Sequence, residues 1–142
     1  MTALEALQTT LSDEHAAVYA YGVLGARTSQ AASPTLFAAL DAAHRQHRWR
    51  RDQLRLMIDE AGGTPVAAEP AYDLDGRLLQ PGPIEAAALA LEETSTVVLL
   101  ALVAQSAGTV REWALTEAIW SATWGLELGG GPQTWPGAPE LD

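Results

Sequence analysis

Residues 63–82, GTPVAAEPAYDLDGRLLQPG, decide the fold. The stretch mixes proline, glycine and carboxylates and shows neither a helical nor a strand period. A connection of about twenty residues is long for a compact domain, where most loops are a few residues. Extended, it reaches ~60 Å, enough to run the length of a helical bundle. It therefore predicts a crossover between the two ends of a bundle, and the flanking sequence agrees.

Immediately upstream, a helix is expected from about Pro34 to Glu60. Ser33-Pro34 supplies an N-cap and a proline at the first helical position, and Gly62-Gly63 with Thr64-Pro65 ends the helix. Phe37, Leu40, Leu54 and Ile58 share its inner face. Further upstream, Thr2-Ala3-Leu4-Glu5 is a capping box opening a helix to about Arg27, with Leu4, Leu7, Leu11, Val18 and Tyr21 on one face. Downstream, a third helix runs from Pro83 to about Ala107. It is apolar on more than one face, which predicts that it is the most buried of the set. Gly108 breaks it. Thr109-Val110-Arg111-Glu112 reads as a second capping box, opening a fourth helix to about Leu128 with Val110, Trp113, Trp120 and Trp124 on one face. Short turns elsewhere and one long crossover between helices two and three give an all-α, four-helix bundle of ferritin-like pattern. The bundle occupies residues 1–128 and a Gly/Pro-rich tail residues 129–142, which is expected to be either frayed or pinned by Trp135.

Composition narrows function by exclusion. At 142 residues and 48% apolar, the chain suits one globular domain. With no cysteine, disulfides, thiolate metal sites and thiol catalysis are excluded. The net charge of −10, with eight Arg and no Lys, makes nucleic acid a poor partner. Arg without Lys, beside abundant Ala, resembles high-GC coding bias. The start has neither a basic nor an apolar signal region, and the longest apolar run, Val97 to Ala104, is short of the ~20 residues that span a bilayer. A cytoplasmic protein without membrane contact is expected.

The informative residues are the charged ones on the apolar seams. Glu14 fills the gap in the first helix's seam, and His44 and His47 sit in the middle of the second's. Glu92 lies on the stripe Leu89, Leu99, Val103. Glu93 lies on another, Ala90, Val97, Leu100, and Glu117 interrupts the tryptophan face of helix four. A buried carboxylate must be paired, protonated or metal-bound. Around the turn at Ala31, Glu14 lies 17 residues before and His47 16 after, so antiparallel helices place them within ~2 Å in depth. Around Gly108, Glu92 and Glu117 lie 16 and 9 residues away, an offset of roughly 10 Å that sets one of the two apart from a shared site, Glu117 the more readily, and leaves open whether Glu117 joins it. Two readings stand. Glu14, His44, His47 and Glu92 hold a metal ion (Fe, Mn or Zn), or Glu14 and His47 form a buried polar pair with Arg51 one turn on. His15, beside the seam, is expected to be partly exposed, and Tyr19, Tyr21 and the five Trp to be core. The cluster Arg45, Arg48, Arg50, Arg51 and Arg55 reads as a solvated face with Asp41–Arg45, Arg48–Asp52 and Arg55–Asp59 pairs, anion binding being the alternative. Asp73-Leu74-Asp75-Gly76 has the start of a calcium loop but not its later ligands.

The segment Leu7 to Gly22, LQTTLSDEHAAVYAYG, resembles the opening of an uncharacterised actinobacterial ferritin-like family, a domain of unknown function. The resemblance continues in His47-Arg48-x-Arg50-Arg51-Asp52-x-Leu54, Pro70-Ala71-Tyr72, Leu91-Glu92-Glu93 and Trp135-Pro136-Gly137, and so covers nearly the whole chain. It implies the fold and carries no established activity. In ferritin-like di-iron proteins, two helices each give a Glu and two give Glu-x-x-His. By position that resemblance assigns Glu14, His47, Glu92 and Glu117 to such a set. His44 stands where a Glu is expected and Trp120 where a His is expected, so one metal ion or none is implied in place of a bridged pair. A homodimer formed through a helix face is implied by analogy. The competing class is a metal-free helical module working by association or oligomerisation. A third is small-ligand binding in a cavity near Trp113, Trp120 and Trp124.

Overall fold

The computed structural model describes residues 1–74 and 83–138. Four helices follow in chain order: α1 Ala3–Ala26, α2 Pro34–Glu60, α3 Ile84–Gln105 and α4 Gly108–Glu127. Among the described residues there is no strand. The protein is an all-α, four-helix bundle.

Local chemistry sets the helix ends. The capping box of α1 is closed in both directions: Glu5 N donates to Thr2 Oγ1 at 3.2 Å, and Thr2 N donates to Glu5 Oε2 at 2.6 Å. At α2, Ser33 is the N-cap but makes no side-chain cap bond, and Pro34 begins the helix without a free N–H. Gly62 ends α2 with φ +77°, a conformation that glycine adopts without strain. The expected second capping box does not form. Gly108, at φ +56°, makes the α3–α4 turn and is itself the first residue of α4, with Ala107 as cap. Thr109 is therefore already inside the first turn, two places too late to cap.

The helix order in space follows from which residues meet. The ends of α1 and α4 and the starts of α2 and α3 share one apolar cluster, built on Tyr21, Leu24, Leu40, Ala88 and Leu128. Leu7, Leu11, Leu54, Ile58, Leu102 and Ala114 form a second cluster at the opposite end. So α2 finishes at one end of the bundle and α3 begins at the other, and the connection between them must travel its length. α1 packs on both α2 and α3, and α3 on α4.

The crossover climbs along α1. Gln8 Nε2 donates to Thr64 O at 2.7 Å, and Val66 N donates back to Gln8 Oε1 at 2.9 Å. One turn-pair on, His15 Nε2 lies 3.1 Å from Val66 O, and then the rings of Tyr19 and Tyr72 meet at 5.6 Å. Gln8, His15 and Tyr19 are thus three rungs on one outer face of α1. His15 is buried under this strap, at 7% exposure, in place of the partial exposure expected, because the crossover covers it. Tyr19 is exposed instead of core. Asp75-Gly76 of the calcium-like sequence lies outside the described residues.

Two further expectations are corrected. α3 is not the most buried helix. It buries six side chains against ten for α1, because only one of its apolar stripes faces the bundle. By length and composition α3 could cross a membrane, with mean hydropathy 1.7, yet only 33% of that window is buried here. The tryptophans are not all core either: Trp49 and Trp135 are exposed, while Trp113, Trp120 and Trp124 are half-buried. The tail folds back on α3 at two close approaches. A Cβ on Gly130 would meet Gly125 O and Leu89 Cδ1 at 2.9 Å, and one on Gly137 would meet Leu100 Cδ1 at 2.9 Å.

Candidate functional site

Between the two apolar clusters lies a layer of charge to which every helix contributes. α1 supplies Glu14, α2 His47 and Arg50, α3 Glu92, and α4 Glu117, all buried. The inner stripe of α2 explains its double share. It runs Leu40, Ala43, His47, Arg50, Leu54, Ile58, each buried, at the 3- and 4-residue spacing of one helix face.

His47 is the hub. Its Nδ1 lies 2.7 Å from Glu14 Oε2 and its Nε2 lies 3.0 Å from Glu92 Oε1. The Tyr21 hydroxyl donates to the same Glu92 Oε1 at 2.5 Å, and the Tyr21 ring stacks on the imidazole with centroids 5.0 Å apart. Burial works to discharge His47, but the flanking Glu14 and Glu92 carboxylates outweigh it and hold its pKa up, at about 9. With a carboxylate on each nitrogen, both nitrogens donate and the ring is an imidazolium. Burial would likewise raise Glu92, but hydrogen bonds from His47 and Tyr21 outweigh it and keep the carboxyl low. Tyr21 is driven strongly upward by burial and by the Glu92 charge, so it stays a phenol.

Arg50 joins this group to α4. Its Nε donates to Glu117 Oε2 at 2.6 Å, its Nη1 to Ser121 Oγ at 2.9 Å and its Nη2 to Glu117 O at 2.9 Å. Nη1 also lies 3.7 Å from Glu14 Oε1, and the guanidinium sits over the Trp120 ring, 4.9 Å from its centroid. Gln46 Nε2 adds a second donor to Glu117 Oε2 at 2.7 Å. Three buried carboxylates therefore face two buried cations. At the edge of the layer, Asp13 accepts from Ser95 Oγ at 2.9 Å. Burial and the adjacent Glu14 charge raise its pKa to about 6, against the pull of that hydrogen bond.

Glu14, His47 and Glu92 are thus brought together, and the equal depth of Glu14 and His47 appears as their direct contact. His44 is not brought in. Ala43 occupies the inner position, and His44 sits half-buried beside it, its pKa lowered by burial and by nearby Arg48. Glu117 reaches the group only through Arg50, whose long side chain spans the depth offset. Among the described residues, no group of three or more His, Asp or Glu side chains is placed to hold a metal ion. Arg51, expected to join Glu14, turns outward to Asp52 at 2.8 Å, and Arg50, expected on the solvated face, is fully buried. Asp52 is thereby taken by Arg51 and not by Arg48, whereas Asp41–Arg45 pairs at 3.2 Å as expected. The signal for Arg50 was in the sequence: it lies three residues from His47 and four from Leu54, on the inner stripe.

The chain matches the family described as a domain of unknown function, DUF4439, over residues 6–140. Its fold is similar to the crystal structure of a conserved hypothetical protein, rv2844, from Mycobacterium tuberculosis. The two share 26% identity with a TM-score of 0.78, over 88% of this chain and 92% of that one. No protein with a curated description matches. The family match takes in all four helices, the crossover and the tail to residue 140, and the chain belongs to the DUF4439 family.

Proposed function

We propose that this chain is a ferritin-like bundle that works as a metal-free association module, with its charged layer fixing the register of the four helices. The observation that carries the reading is the state of His47. A metal ligand must offer a nitrogen lone pair. His47 has a carboxylate on each nitrogen, which holds both protons in place. His47 and Arg50 already meet two of the three carboxylate charges that a divalent ion would otherwise answer. Each helix can satisfy its buried charge in one alignment only, because sliding any helix by a turn strands a bare ion among leucines. The layer then specifies a single packing, in the way a buried polar residue fixes the register of a coiled coil.

A second reading, one Fe, Mn or Zn ion in the same layer, is favoured by one feature. Glu14 Oε1 and Glu92 Oε2 are buried without a hydrogen-bond partner. Arg50 at 3.7 Å answers the first electrostatically. Metal would require His47 to lose a proton.

Elemental analysis of protein purified without a metal-binding tag separates the two readings, alongside Glu14→Ala and His47→Ala and thermal melts with Fe(II), Mn(II) or Zn(II). The module reading expects no stoichiometric metal, no metal-induced rise in Tm, and variants destabilised equally with and without metal. Near-stoichiometric metal that is lost in both variants would overturn it.

A further inference from the structure

The returning tail meets α3 at two points and leaves a space between them. At one, Gly130 N donates to Gly125 O at 2.9 Å, and a Cβ on Gly130 would lie 2.9 Å from Leu89 Cδ1. At the other, a Cβ on Gly137 would lie 2.9 Å from Leu100 Cδ1 and 3.5 Å from Val97 Cα. Between these contacts the tail is the third wall of a groove of about 870 Å³, whose other walls are α3 and α4. The lining has one chemistry. Val97, Leu115, Ile119 and Leu126 present hydrocarbon, each between 45% and 59% exposed. The hydroxyls of the two helices are already engaged: Thr94, Thr96 and Thr123 donate to Ala90 O, Glu92 O and Ile119 O, and Ser121 Oγ accepts from Arg50 Nη1. Among the described residues, Glu93 is the only ionisable side chain in the lining, at its exposed edge. Arg111 and Glu112 lie about one turn before Leu115, outside it.

We infer that this groove binds the hydrocarbon chain of a small amphiphile whose head is uncharged. The volume lies within the range of small-molecule sites, a few hundred to about 1,000 Å³. Leu89 to Leu100 on α3, and Leu115 to Leu126 on α4, each run ~16 Å along their helix. An extended chain advances ~1.2 Å per bond, so about 13 carbons lie along the groove. A hydrocarbon gains from such walls by leaving water, and it asks no hydrogen bond of hydroxyls that have none to give. The charge pattern selects the head. Glu93 and the net charge of −10 repel a carboxylate or phosphate, and no cation lines the groove to hold one. Gln133, half-buried on the tail, is the uncharged polar side chain the lining offers to a head group. The tail also decides against a helix as occupant. A docking helix needs its axis 8–10 Å from that of α3, and at Val97 and Leu100 the tail backbone already fills that space. A slender chain can lie between tail and helices without displacing either.

The inference goes beyond the association reading and fails separately from it: stoichiometric metal in the charged layer defeats that reading and leaves the groove standing. The test uses the full chain with N-phenyl-1-naphthylamine, an uncharged probe that fluoresces in apolar sites, displaced by straight-chain alcohols of six to sixteen carbons. Potency should rise roughly two- to fourfold per methylene and level off near about 13 carbons, the length of the groove. Ala122→Trp fills the groove, and Ile119→Glu places a charge on its wall at an exposed position. Each should weaken binding at least tenfold with helical circular dichroism unchanged, whereas Leu56→Glu, equally exposed on α2, should bind as the wild type does. Decanoate should compete at least tenfold less well than decanol. Absence of probe binding overturns the inference, as does binding that ignores chain length or is unmoved by both groove variants. Decanoate matching decanol overturns the uncharged head. Sedimentation equilibrium is run in parallel. A dimer that excludes the probe and that Ile119→Glu dissociates gives the groove to a second copy and also overturns the inference.

Discussion

Replacing Arg50 with Met removes the link between α4 and the rest of the charged layer while keeping much of the side chain's volume. The loss is larger than one contact. Glu117, whose side chain is only 6% exposed, keeps Gln46 as a donor but loses its charge partner at 2.6 Å. Ser121 Oγ and Glu117 O lose their donors, and Trp120 loses the cation over its ring. Breaking a buried ion pair by removing one partner costs about 3–5 kcal/mol, because the surviving charge is stranded. At roughly 3–4 °C per kcal/mol for a domain of this size, Arg50→Met should melt about 10–20 °C below the wild type. The stranded charge can then be removed in turn. Arg50→Met combined with Glu117→Gln should recover at least about 1 kcal/mol relative to the sum of the two single variants. Urea denaturation at pH 7, followed by circular dichroism, measures all four corners of this cycle. A single-variant cost under about 1 kcal/mol, or strict additivity in the double variant, would refute the claim that this pair is a desolvated ion pair coupling α2 to α4.

Two other predictions concern pH and the crossover. His47 has a folded pKa of about 9, above its usual 6.5, so its contribution is complete below about pH 6.5 and is lost as pH rises through 9. Asp13, raised from 3.8 to about 6, acts in the same direction at lower pH, whereas Glu92, held low, loses its contribution as pH falls through its folded pKa. Denaturant stability should therefore decline between pH 6.5 and 9, and His47→Gln should flatten that decline; a wild-type profile level across the window would contradict the charged state of His47. His15→Ala should remove the middle rung of the crossover at a cost of about 1 kcal/mol and speed proteolysis within residues 64–72, with α1 still helical. Unchanged cleavage there would show that Gln8 and Tyr72 hold the strap without it.

The fold was legible in the sequence because it depends on local, periodic signals. Ser33-Pro34, the Gly62-Gly63 stop, Gly108 and the length of the crossover each mark a boundary without reference to a partner. The charged layer was legible in part. Glu14 and His47 emerge from seam position and depth, quantities that count along the chain. His44 is not separable from Ala43 by sequence, because a seam drawn from Leu40 to Leu54 can run through either of two neighbouring columns, and only packing against α1 selects Ala43. Arg50 is masked in the sequence because five arginines in one run look like a solvated surface. Its burial depends on Glu117, 67 residues away on another helix. The exposure of Tyr19 and the burial of His15 follow from a crossover whose route along α1 leaves no periodic trace.

The charged layer also divides the apolar core. Among the described residues, seven buried apolar side chains gather on one side of it and seven on the other. Neither lobe is large enough to hold a domain together. Besides the helical backbones and the buried Ala17, Leu99 and Ala118, which belong to neither cluster, what passes between them goes through His47, Arg50 and their carboxylates. The cooperativity of unfolding in this bundle is thus carried partly by electrostatics, so discharging the layer uncouples the lobes as well as weakening the whole. A single sharp transition at neutral pH would then broaden into two at alkaline pH, as each lobe melts on its own terms.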